Sequence, residues 1–99
     1  MKIFLDDIRQ EPEGWCRTLH AKETVNLLKQ CQAEGIQVEA LSLDNDLGLG
    51  EPEGRTVLDW LEEMAFTCPN FRLPDRVLVH SANAAARQRM ETVIRRLYG

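Results

Sequence analysis

The sequence lacks any hydrophobic run near the roughly 20 residues that a membrane-spanning helix needs, so no membrane partner is expected. It lacks a signal-peptide pattern at the N-terminus, because Asp6 and Asp7 interrupt the first short apolar stretch. Cysteines are few and show no pairing pattern. Cys16, Cys31 and Cys68 are odd in number, widely spaced and form no CxxC, and neither histidine stands at zinc-ligand spacing. That argues against a disulfide framework or a zinc module and points to free thiols in a reducing cytoplasm, a cytoplasmic expectation. An excess of positive charge is missing too. With 12 basic against 16 acidic side chains the net charge is −4, which counts against broad nucleic-acid binding but leaves room for a local basic patch. There is no low-complexity segment and no internal repeat. What remains, 43% hydrophobic and 28% charged, fits one small globular domain over residues 1–99, near the lower limit for a self-sufficient core.

Strand and helix patterns alternate along the chain. Lys2–Leu5 (KIFL) is a short buried-strand run, followed by a Pro- and Gly-containing loop over 7–15 (DIRQEPEGW). Cys16–Leu19 fits a short strand. His20–Glu34 suits a helix with Ala21, Val25, Leu28 and Gln32 on one face, Leu27 and Cys31 beside it, and Gly35 as its stop. Val38–Leu43 is the next strand, and Gly48–Gly54, with three glycines and Pro52, is a loose connection. Val57, Leu58, Leu61, Met64 and Ala65 then follow helical spacing. A loop with Pro69 and Pro74 leads to the strand Arg76–His80. A helix over Ala84–Leu97 follows, its apolar face made by Ala86, Met90, Val93, Ile94 and Leu97. Strands separated by helices predict a three-layer α/β domain with a mostly parallel, four-stranded sheet covered on both faces. The link from the first strand to the second is the exception, since it is short for a parallel crossover and carries no helix.

Polar residues interrupt the apolar runs at strand C-termini: Asp6 and Asp7 after KIFL, Asp44 and Asp46 after LSL, and His80, Ser81 and Asn83 after VLV. In a parallel sheet these ends share one edge, where ligands bind. Carboxylates gathered there repel one another unless a cation neutralises them, and hard oxygen ligands at an open site suit Mg²⁺ shared with a phosphate. Asp6, Asp7, Asp44 and Asp46 are the candidate metal ligands. Ser81, Asn83 and the N-terminus of the last helix offer donors to an anion, and Arg9 and Arg87 are placed to clamp phosphate oxygens. His80 is the candidate acid–base group beside Asp44 and Ser81, the role in catalysis that histidine takes most often. Trp15 and Trp60 read as packing, and Arg89, Arg95 and Arg96 as a solvated face.

KIFLDD, LSLD and VLVHSA resemble the three site-bearing strands of response-regulator receiver domains. The resemblance implies a receiver-like (flavodoxin-like) fold with Asp6 and Asp7 as the acidic pair, Asp44 at the phosphoryl-acceptor position and Ser81 at the hydroxyl position. Two features depart from that pattern: no fifth strand with its Lys follows, and a loop replaces the first helix. LDDIR, LDNDLG and HSAN followed by Arg87 and Met90 are similar to a narrower group, the cyclic-phosphate processing receiver-like domains. There a His is expected between the aspartates of the third-strand motif, where this chain has Asn45. The expected function is a Mg²⁺-dependent hydrolase of phosphodiesterase type, acting on a cyclic phosphate of a nucleotide, another small molecule or an RNA end. The alternative is a signalling or binding module, phosphorylated on Asp44 or unreactive. Nothing in the sequence decides the oligomeric state.

Overall fold

The computed structural model describes residues 1–99. The chain runs β1 (Lys2–Leu5), β2 (Cys16–Thr18), α1 (Ala21–Glu34), β3 (Ala40–Leu43), α2 (Arg55–Thr67), β4 (Arg76–Val79) and α3 (Ala84–Tyr98). The four strands form one sheet in the order β2-β1-β3-β4, and every pairing is parallel. The α/β receiver-like fold is therefore as expected. The helixless link over residues 6–15 does make a parallel crossover.

Strand alternation divides the side chains between two faces. Ile3, Leu5, Leu41, Leu43 and Val77 point to one face, where Leu28 and Cys31 of α1, Leu58 and Leu61 of α2 and Met90 of α3 complete the core. Each fully buried side chain of this kind contributes roughly 1.5–3 kcal/mol. All three helices lie on that face, which for α1 and α2 is a consequence of strand order. The crossovers β2-α1-β3 and β3-α2-β4 both advance toward β4, and right-handed connections advancing the same way fall on the same side. The crossover from β1 to β2 runs in the opposite direction and so passes over the other face.

The expected layer on that second face is thus a loop and its side chains, with no helix. Trp15 stands edge-on to Phe4 at 6.2 Å, with the Lys2 ammonium 5.9 Å from the indole centre. Leu78, on the same face, is 41% exposed. Trp60 packs edge-on against Phe71, as a packing residue should.

In α1 the buried stripe is Ala21, Thr24, Leu28 and Cys31. Cys31, expected beside the stripe, and Thr24 are buried in it, while Val25 packs partly buried against the core and Gln32 is half-buried. Thr24 Oγ1 donates to the His20 carbonyl at 3.0 Å and meets Thr18 Oγ1 of β2 at 2.7 Å, so the hydroxyls are satisfied inside the apolar face. Gly35 ends the helix in the left-handed region (φ 70°) that favours glycine. Asn83 begins α3, its Oδ1 accepting from Ala86 N–H at 3.0 Å.

Candidate functional site

Because all strands are parallel, their C-terminal ends deliver Asp6, Asp44 and His80 to one edge of the sheet. One ligand atom from each of these residues lies within 4.8 Å of the others. Above them opens a cavity of about 330 Å³ lined by Asp6, Ile8, Arg9, Asp44, Asn45, Asp46, Ser81, Ala82 and Asn83.

Asp6 is almost fully buried, and protein donors occupy both its carboxylate oxygens. Oδ1 accepts from the backbone N–H groups of Ile8 and Arg9, each at 2.8 Å, which folds the chain into a tight turn. Oδ2 meets His80 Nε2 at 3.0 Å. Burial acts to raise its pKa, but the Arg9 and Ile8 donors together with His80 outweigh it and hold the carboxyl below its usual value.

His80 is fixed on every side. Its Nδ1 meets Ser42 Oγ at 2.7 Å, and its ring stacks on Phe4 with centroids 4.3 Å apart. Its carbonyl accepts from the Arg9 guanidinium at 3.0 Å. Both ring nitrogens are engaged, and the ring does not line the cavity.

Asp44 faces the cavity with more freedom. Its Oδ1 accepts from Asn45 N–H at 2.8 Å. Burial raises its pKa and the neighbouring Asp6 adds to this, while the Asn45 donor, His80 and Arg9 act against it; the net direction is upward. Asp46, one of the expected ligands, also lines the cavity, with Oδ1 accepting from Gly48 N–H at 3.2 Å.

The opposite wall comes from the chain between β4 and α3. Ser81 is buried and its Oγ accepts from Asn83 N–H at 3.2 Å, leaving the hydroxyl proton for another acceptor. Asn83 lines the same wall while capping α3.

Two expected residues stand apart from this cavity. Asp7 does not line it. Its Oδ1 is buried without a hydrogen-bond partner, and its Oδ2 lies on the side of Gly48. Arg87 does not line it either; its guanidinium donates to the Ser81 carbonyl at 3.4 Å and steadies that wall from behind.

Three residues outside the expected set support the site. Ser42 orients His80, and a serine in the middle of the buried strand LSL was the available signal. Arg17 donates to the Asp6 carbonyl at 3.0 Å, tying β2 to the site. Asn45 holds the start of α2. Its Oδ1 accepts from Arg55 N–H at 3.1 Å and its Nδ2 donates to Glu53 Oε2 at 2.7 Å. It thus caps α2 from outside the helix, where Gly54 has no side chain to do so.

No helix is long and apolar enough to cross a membrane. No curated protein and no solved structure matches the chain. The family model described as the cyclic-phosphate processing receiver domain matches residues 1–96, a span that includes all four strands and every residue of the cavity wall. The chain belongs to the cyclic-phosphate processing receiver domain family.

Proposed function

We propose that this chain opens a cyclic phosphodiester, carried by a nucleotide or an RNA end, in the cavity at the C-terminal edge of its sheet. The observation that carries the reading is one cavity lined both by the carboxylates of Asp6, Asp44 and Asp46 and by the donors Ser81, Asn83 and Arg9.

The donor set fits Mg²⁺. Hydrogen bonds from within the chain engage one oxygen each of Asp44 and Asp46, leaving the second to a cation. Asp44 and Asp46 would hold the ion, with the buried Asp6 carboxylate adding negative charge beside it. When bound, Mg²⁺ supplies charge neutralisation at a phosphoryl oxygen and a more acidic water.

The chain's own groups do the rest. Arg9 spends one N–H on the His80 carbonyl and keeps its other donors for phosphate oxygens. Ser81 donates its hydroxyl proton to the same group. His80 serves as a positioning residue, since both ring nitrogens are committed to Asp6 and Ser42. In the reaction, water oxygen forms a bond to phosphorus and one ring P–O bond breaks. The proton lost by water balances the one gained by the freed hydroxyl.

Phosphorus NMR of the chain with Mg²⁺ and a nucleoside 2′,3′-cyclic phosphate tests this. The wild type converts the cyclic diester signal into that of an open monoester, and Asp44→Ala does not. An unchanged wild-type spectrum would overturn the reading. A new acyl-phosphate signal with acetyl phosphate would instead identify a phosphorylated signalling module.

A further inference from the structure

A second, smaller groove adjoins the cavity. It is lined by Asn45, Glu53, Arg55, Ala86, Arg89 and Met90, and Asn45 borders both spaces. Arg55 approaches from the first turn of α2 and Arg89 from α3. Neither guanidinium donates a hydrogen bond within the chain, and neither takes part in an ion pair. The one carboxylate in the groove, Glu53, has Oε2 occupied by the Asn45 amide. Two cations from different helices therefore converge on one groove with a single counter-charge between them. In a chain whose acidic side chains outnumber its basic ones, such a local positive surplus suits an anion held between the two guanidiniums.

We propose that Arg55 and Arg89 form a second phosphate subsite, so that the preferred substrate carries another phosphoryl group beside its cyclic phosphate. This rests on the reading of the main cavity as a phosphate site. The side chain of Asn45 is occupied by Glu53 and by the α2 backbone, so it serves as a fixed partition between the subsites. Arginine is suited to the task because its planar donors grip a phosphate in pairs while its charge persists at any working pH.

The test is an amide-shift NMR titration, with Ca²⁺ in place of Mg²⁺ to slow turnover. The ligands are a nucleoside 2′,3′-cyclic phosphate, the same compound with a 5′-phosphate, and a dinucleotide ending in the cyclic phosphate. The wild type binds a two-phosphate ligand about tenfold more tightly than the single-phosphate one, the gain expected of one good charge-assisted contact. The double variant Arg55→Gln, Arg89→Gln loses that factor and keeps its Kd for the single-phosphate ligand. Arg→Lys at both positions restores part of it. A gain with the 5′-phosphate assigns the subsite to a terminal phosphate; a gain with the dinucleotide alone assigns it to an internucleotide one. Equal wild-type affinities, or a preference that survives in the Gln variant, would overturn the subsite. Binding of none of the three ligands would overturn the phosphate-site reading itself, and the subsite with it.

Discussion

Truncating His80 to alanine removes the partner of Asp6 Oδ2, the partner of Ser42 Oγ and the ring stacked on Phe4. Each buried polar group left without a partner costs about 1–3 kcal/mol. His80→Ala is therefore expected to lose about 3 kcal/mol, read as a lower urea midpoint with an unchanged m-value. A merely solvent-facing histidine would move the midpoint little. At the far end of the chain, Tyr98 donates its hydroxyl to the Pro74 carbonyl, and its pKa is pushed up to about 12 by burial and by Asp75. Its folded value is raised above the ordinary 10.0, so the folded chain holds the phenol proton more tightly than the unfolded chain does. Its contribution to stability is complete below pH 10 and lost as pH rises through about 12. Thermal melts between these values should show this loss in the wild type and a flatter dependence in Tyr98→Phe. Among the site residues, Asp6, Asp44 and Ser81 were legible because polar groups ending apolar runs mark strand termini. The commitment of His80 was not legible, because it depends on which face Ser42 and Phe4 share. The same alternation separates Asp6, which continues the Phe4 parity, from Asp7, which sequence adjacency alone had grouped with it.

The start of α2 is held by close approach. A Cβ on Gly54 would overlap the Asp44 carbonyl, and the Gly54 N–H donates to the Asn45 carbonyl at 2.8 Å. The glycine has ordinary helical dihedrals, so the requirement is for space rather than for an unusual backbone. Gly54→Ala must push α2 away from the loop that carries Asp44. The expected cost is about 3 kcal/mol, at the upper end of overpacking effects. Calorimetry measures that loss, and a shift of the Asn45 side-chain amide resonances would report the displaced helix. The helices themselves were readable, since Val57, Leu58, Leu61, Ala86 and Met90 repeat at helical spacing and are buried. The stripe of α1 was misjudged around Thr24, which counts as polar in a hydropathy pattern yet is fully buried through its bond to Thr18. Only the neighbouring strand supplies that partner.

At the scale of the molecule, helices on one face of the sheet and a loop on the other follow from a strand order that local periodicity does not encode. Nothing within residues 2–19 tells that β2 adds outside β1, and without that fact two covered faces were the natural expectation. The loop crossover has a consequence for motion. Asp6 N–H donates to the Thr18 carbonyl at 3.0 Å, Arg17 grips the Asp6 carbonyl, and Asp6 Oδ1 holds the turn that aims Arg9. The three-residue edge strand β2 and one wall of the cavity are thus a single mechanical unit, and they open together or not at all. Short edge segments exchange their amide protons through local opening, at a free energy well below that of global unfolding. A ligand on Arg9 must therefore slow deuterium uptake across Cys16–Thr18, a segment that touches no ligand. Uptake at the Ala40–Leu43 amides, already in the centre of the sheet, should barely change. Seen this way, the short rim strand of the sheet is the gauge on which occupancy of the cavity can be read.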